Sequence, residues 1–327
     1  NTAVGHASMG LGVVSTVEGH NTAVGYATLY DLTIGTNNTI MGAHSGTNIR
    51  EGQYNTALGS SSLYKDEIGD YNTAVGFQAG YHWKQADNEG LNTAIGGLAG
   101  KGGSVNASAS ATDNDGTANT FVGHKAGWGN SVALEGSYNT FMGYLSGENI
   151  QGAAQMNTFI GAEAGEAVLT DSYLTLVGTK AGHNFNGSTG AVAVGYKALQ
   201  SGTSGADNNT AVGYEAGQES NGSSNSFLGM GAGKFCSTSG YNTFIGKYAG
   251  YGDASNPLLA SGSSGANVAV GNDAGKLFQT TDGTTNSAYR NTAVGYRALD
   301  ALTVGHNNVA VGGDAAGALV TGDTNVV

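Results

Sequence analysis

Asp113, Asn114, Asp115 and Gly116 form the stretch of this sequence that most resembles a site for chemistry. Carboxylate and amide oxygens at alternate positions suit a hard cation, so Asp113 and Asp115 are the calcium candidates. The bidentate Glu that would complete such a loop is missing, and a solvated turn is the simpler reading. Two tryptophans, Trp83 and Trp128, lie in polar segments after repeat units, where an exposed indole can stack on a sugar ring. With Asn106 and Asp282, in longer loops, they are the receptor-binding candidates. The seven His residues are scattered, and the single Cys236 excludes an intrachain disulfide framework and reads as a small buried hydrophobe. No nucleophile elbow, P-loop or HExxH motif is present, so neither a catalytic residue nor a cofactor is expected. A glycan-cleaving enzyme would need two carboxylates roughly 5–9 Å apart in a groove, which sequence cannot establish. The expectation is a protein that is not an enzyme.

Composition narrows the class further. The chain has 57 Gly, one Pro and 11% charged residues, so it is neither collagen-like nor a charge-rich disordered tail. Its net charge of −12 leaves no basic footprint for nucleic acid. No apolar run approaches the roughly 18–20 residues of a membrane span, so no membrane insertion is expected of this segment.

What must position any site is a repeat. "NTAVG" and its variants begin at Asn1, Asn21, Asn38, Asn55, Asn72, Asn92, Asn119, Asn139, Asn157, Leu174, Ala191, Asn209, Asn225, Asn242, Asn267, Asn291 and Asn308. The commonest interval is 17 residues, giving 17 complete coils. With the Asn as position 1, position 5 is always Gly, as at Gly76 and Gly295, and marks a bend where a Cβ would clash. Position 4 is always aliphatic or Met, position 2 nearly always Thr, and position 8 always small. Because side chains alternate along a strand, positions 2, 4 and 8 are expected to line the inside. Asn72, Asn291 and their counterparts are expected to stack as an amide ladder.

Seventeen residues with two glycine-marked corners fit a flattened coil of two short strands. The fold class expected is therefore all-β, a parallel β-solenoid of about 17 coils, treated as one repeat domain over residues 1–327. At about 4.8 Å per coil it would make a rod on the order of 80 Å long. The chain begins in mid-repeat and reads as a slice of a longer fibrous protein. On this parity position 3 points outward, and it carries Phe121, Phe141, Phe159, Phe227 and Phe244. An outward apolar stripe normally marks an interface, so these residues are the oligomer-interface candidates. The longest insertions, at 101–118, 251–266 and 276–290, follow position 9 and should emerge on one edge, a usual binding face of solenoids.

The run "NTAVGY" followed by small residues and Leu or Gly resembles the head repeats of YadA-like trimeric autotransporter adhesins. Similar repeats occur in phage tail-fibre proteins that end in an endosialidase-type chaperone domain. The resemblance covers every coil, although the family repeat is shorter than 17 residues. It implies a homotrimeric β-roll, placed extracellularly on a cell surface or virion fibre. The function expected is an adhesin shaft that displays loops to a surface glycan or protein receptor. The alternatives are a purely structural filament subunit, a tailspike-like glycan-degrading enzyme, or an ice-binding solenoid. The last would need positions 2 and 4 exposed, a point decided by Val75 and Val294.

Overall fold

In the computed structural model every "NTAVG" segment contributes one three-residue parallel strand, covering positions 2 to 4, and the described remainder of each coil is turns, bends and isolated bridges. Residues 1–10, 19–83, 90–102, 116–129, 134–202, 206–252, 254, 265–278 and 288–327 are described. They form two compact units, Asn1–Ser172 and Tyr173–Val327. The first unit holds nine strands, from β1 (Thr2–Val4) to β9 (Thr158–Ile160), successive strands within it pairing in parallel. The second holds eight, from β10 (Thr175–Val177) to β17 (Val309–Val311), paired in the same way. Register is fixed position on position, as in Thr140↔Thr158, Phe141↔Phe159 and Met142↔Ile160. The parallel β-solenoid expected from the repeat is present, with one named strand per coil where two were expected.

The second side of each coil cannot be a strand because its backbone alternates in handedness. Positions 7 and 9 have positive φ, for example Lys125 at 57° and Gly127 at 60°. Such a path still satisfies its amides, because they bond between coils. The Gly127 N–H donates to the Ser146 carbonyl at 2.9 Å, and the Lys125 N–H to the Gly97 carbonyl at 3.0 Å. Position 5 is restricted for two reasons at once. Gly76 has φ of +135°, and a Cβ on it would stand 2.5 Å from the Gly96 carbonyl oxygen of the next coil. A side chain there would push the stack apart.

The Asn column is a hydrogen-bond ladder, with Leu174 and Ala191 standing in two of its places. The Asn38 N–H donates to Asn21 Oδ1 at 2.9 Å, and Asn38 Nδ2 donates to the Gly52 carbonyl at 2.8 Å. The pattern repeats at Asn55, whose N–H donates to Asn38 Oδ1 and whose Nδ2 donates to the Gly69 carbonyl. It repeats again at Asn308, which donates to Asn291 Oδ1 from both its N–H and its Nδ2. Each side chain therefore closes its own coil and caps the next one. These amides are 0–1% exposed, so each bond also prevents an unsatisfied polar group in the interior.

Strand parity is the reverse of the expected one. From Ala23 to Ala310 every position-3 residue is buried, while positions 2 and 4 are half-buried or exposed. Phe121, Phe141, Phe159, Phe227 and Phe244 thus belong to the core, at 0–1% exposure, and are not an outward stripe. They stack along it: Phe141 and Phe159 have ring centroids 4.6 Å apart, Phe227 and Phe244 5.7 Å. Position 8 faces inward as expected, with Ala126, Ser146 and Ala164 buried.

Core volume is passed between columns. Where position 9 is Leu (Leu29, Leu63, Leu199, Leu299), position 3 is Ala (Ala23, Ala57, Ala193, Ala293), and all eight are buried. Where position 3 is Phe, position 9 is Gly, because the ring takes the space: a Cβ on Gly147 would lie 2.9 Å from the Phe141 ring. Where both are small, the adjacent coils can supply the bulk, as Leu199 and Phe227 do over Gly217, or position 12 fills the gap. Trp83 covers Gly80 in this way, and Phe278 covers Gly275. Native-density packing is thus reached by sharing bulk among three columns.

Candidate functional site

The surface that this parity creates is the outward face of the strands. In both units it consists of a column of position-2 Thr, with Ser226 and Val at 192, 268 and 309, beside a column of position-4 aliphatics. Val4, Met41, Leu58, Ile95, Met142 and Ile160 are 38–56% exposed in the first unit, and Leu228, Ile245 and Val311 are 38–62% exposed in the second. Val75 and Val294 are half-buried. None of the 17 strands carries a charge. Scattered exposed apolar residues are ordinary, but a contiguous neutral stripe marks a contact surface.

Aromatics flank this stripe on both sides. Tyr54 and Tyr71, just before the Asn column, stack with centroids 4.8 Å apart. Tyr196 and Tyr214, at position 6, do so at 5.2 Å. The charged groups lie further round the coil, where some of them pair. Lys125 Nζ is 2.9 Å from Glu148 Oε1, and Lys234 Nζ is 2.7 Å from Glu215 Oε2. These pairs keep position 7 and position 10 solvated and leave the strand face to apolar or hydroxyl contacts.

The residues singled out from sequence separate sharply. Trp83 is fully buried at position 12, its ring 6.5 Å from Phe121, and cannot present its face to a receptor. Trp128 is half-buried, and Lys125 Nζ sits 4.1 Å from its ring centroid, a cation–π contact that occupies one face. Asn106, Asp282, Asp113 and Asp115 lie outside the described residues, as do most of the three long insertions. Asn72 and Asn291 are rungs of the ladder, and Gly295 repeats the geometry of Gly76 with φ of +133°. Cys236 is buried in the position-12 column, with its thiol pushed up to about 12 by desolvation. It is unsuited to nucleophilic work.

One titratable group gives no signal in its own stretch of sequence. Asp66 occupies position 12, the column that holds Leu32 and Ile49 in the two preceding coils, and is fully buried. It accepts hydrogen bonds from the Gly69 N–H at 2.9 Å and from Asn72 Nδ2 at 2.9 Å. Desolvation outweighs both and raises its pKa from an ordinary 3.8 to about 7. Aligning the columns reveals it, since an Asp stands where apolar residues are the rule.

The fold therefore defines the class as a parallel β-solenoid protein with no helix among the described residues. No family model matches the chain, and neither does any curated protein or solved structure.

Proposed function

We propose that this chain is a shaft segment of an extracellular fibre, an adhesin rather than an enzyme, and that it associates as a homotrimer through the outward strand face. The observation that carries the reading is the neutral column of position-4 aliphatics running beside the Thr column in each unit. A fibre built this way buries Met142, Ile160 and their neighbours against other copies. The insertions after position 9 are the segments proposed to meet a surface glycan or protein receptor. The interface differs from the Phe stripe expected from sequence, because those rings are already used inside each coil. Light scattering across a range of concentrations tests the reading. A constant mass of three chains supports it, and a monomer at every concentration contradicts it.

Ice binding gains a specific observation as a second reading. It requires positions 2 and 4 to point outward, and they do, at an inter-coil spacing of about 4.8 Å. An uncharged array of hydroxyls and methyls at lattice-like spacing can order water. Thermal hysteresis from a monomeric chain would favour this second reading over the first.

A further inference from the structure

The first unit carries a cleft that the strand face does not explain. It has a volume of about 350 Å³ and opens to solvent, with His6, Tyr26, Tyr30, His44, Thr47 and Tyr64 around it. Its origin is a gap in an aromatic column. Position 10 of four successive coils holds Tyr30, Thr47, Tyr64 and Tyr81. Where two tyrosines are adjacent in that column they stack, as Tyr64 and Tyr81 do at 4.9 Å and 7°. Thr47 interrupts the stack. Its Oγ1 turns down to donate to the Ala27 carbonyl at 3.1 Å, forming a floor. Tyr30 leans away from the gap over Gly10, which has no side chain to hold it off. Tyr30 and Tyr64 are then two coils apart, on the order of 10 Å, which leaves room for one further ring between them.

The side wall is also aromatic. Tyr26 stacks on His6 at 5.5 Å and meets His44 edge-on at 5.0 Å, and His44 meets Tyr64 at 6.5 Å. No Lys, Arg, Asp or Glu is among the described residues lining the cleft. Aromatic faces attract the weakly positive C–H face of a saturated ring, while tyrosine hydroxyls and imidazole nitrogens both donate and accept hydrogen bonds. A wholly apolar ligand would leave those polar tips unpaired, and an anionic one would find no cation.

We propose that this cleft is a subsite for one neutral hexose residue of a glycan, seated between Tyr30 and Tyr64 above Thr47. The proposal deepens the adhesin reading and rests on it for its biological setting, although the cleft lies within the first unit and does not need the trimer.

Saturation-transfer NMR on the full chain tests it, with neutral maltohexaose and mannohexaose as probes and hexagalacturonate, charged on every ring, as the anionic counterpart. Transfer to at least one neutral sugar is expected, with weaker transfer to the anionic one. Thr47→Tyr fills the gap with a residue this column already accepts, and should weaken neutral-sugar binding about tenfold or more. Tyr64→Ala should do the same, and Trp128→Ala should leave binding unchanged. Circular dichroism on each variant confirms folding. Absence of transfer to every neutral sugar, equal transfer to hexagalacturonate, or binding insensitive to Thr47→Tyr overturns the proposal. Loss of binding in Trp128→Ala alone would also overturn it by placing the site elsewhere. The mass of the same samples separates the two readings: three chains without sugar binding sinks the cleft and spares the shaft, and a monomer that binds sugar does the reverse.

Discussion

The two faces of the same three-residue strand obey different rules. Inward, position 3 ranges from Ala to Phe, and the changes are answered within the interior, by Gly or Leu at position 9, by Trp83 or Phe278 at position 12, or by the adjacent coils, as at Gly217. Outward, positions 2 and 4 hold Thr beside Val, Ile, Leu or Met with almost no variation in character, and nothing among the described residues packs over them. A core tolerates variety when volume is conserved. A face that must match an external partner or lattice repeats itself. The inner face is written for each coil separately, and the outer face for the assembly.

The largest way to break that contrast is to empty the inner column. Phe141→Ala leaves a cavity between Phe121 and Phe159 and should cost about 3–5 kcal/mol in chemical denaturation. Moving volume instead of deleting it sharpens the point: Ala57→Phe with Leu63→Gly should cost far less than Ala57→Phe alone, which overpacks the coil by about 1–3 kcal/mol.

Asp66 gives the next effect, and its sign is fixed. Its folded pKa of about 7 lies above the ordinary 3.8. Between those values the folded chain holds a proton that the unfolded chain has lost. Stability from this group is therefore complete below about pH 4 and declines as pH rises towards 7, by at most a few kcal/mol. Thermal melting of Asp66→Asn against the parent across that window should show the parent losing stability relative to the variant as pH rises.

A single rung of the ladder acts on the same scale. Asn291→Ala strands the Gly305 carbonyl and the Asn308 N–H, which it now serves at 2.9 and 3.0 Å, and each orphaned group should cost about 1–3 kcal/mol. The smallest effect belongs to the outer face. Val294→Ser should change the stability of an isolated chain by within about 0.5 kcal/mol, and any larger loss in denaturant titration would mean that the valine is covered in solution.

The period, the all-Gly corner and the Asn ladder are legible in the amino-acid sequence alone, because each needs one residue type at one place whatever its neighbours do. Parity is not. "NTAVG" alternates Thr-Ala-Val, and alternation separates two faces without saying which is wet, so Thr and Val read as core and Phe141 as surface. The deciding signal lies between columns: Leu29, Leu63, Leu199 and Leu299 occur only opposite Ala, a pattern that only residues sharing one enclosed volume would produce. Asp66 and the gap at Thr47 are hidden for a related reason, since each is ordinary in its own segment and anomalous only against the same position in adjacent coils.

The most direct measurement of the central claim is the sedimentation mass of the parent chain beside a variant carrying Val122→Lys and Met142→Lys on the outer face. Three chains are expected for the parent and one for the variant, with the same circular dichroism spectrum. A monomeric parent, or a variant that keeps the parent's mass, would contradict it.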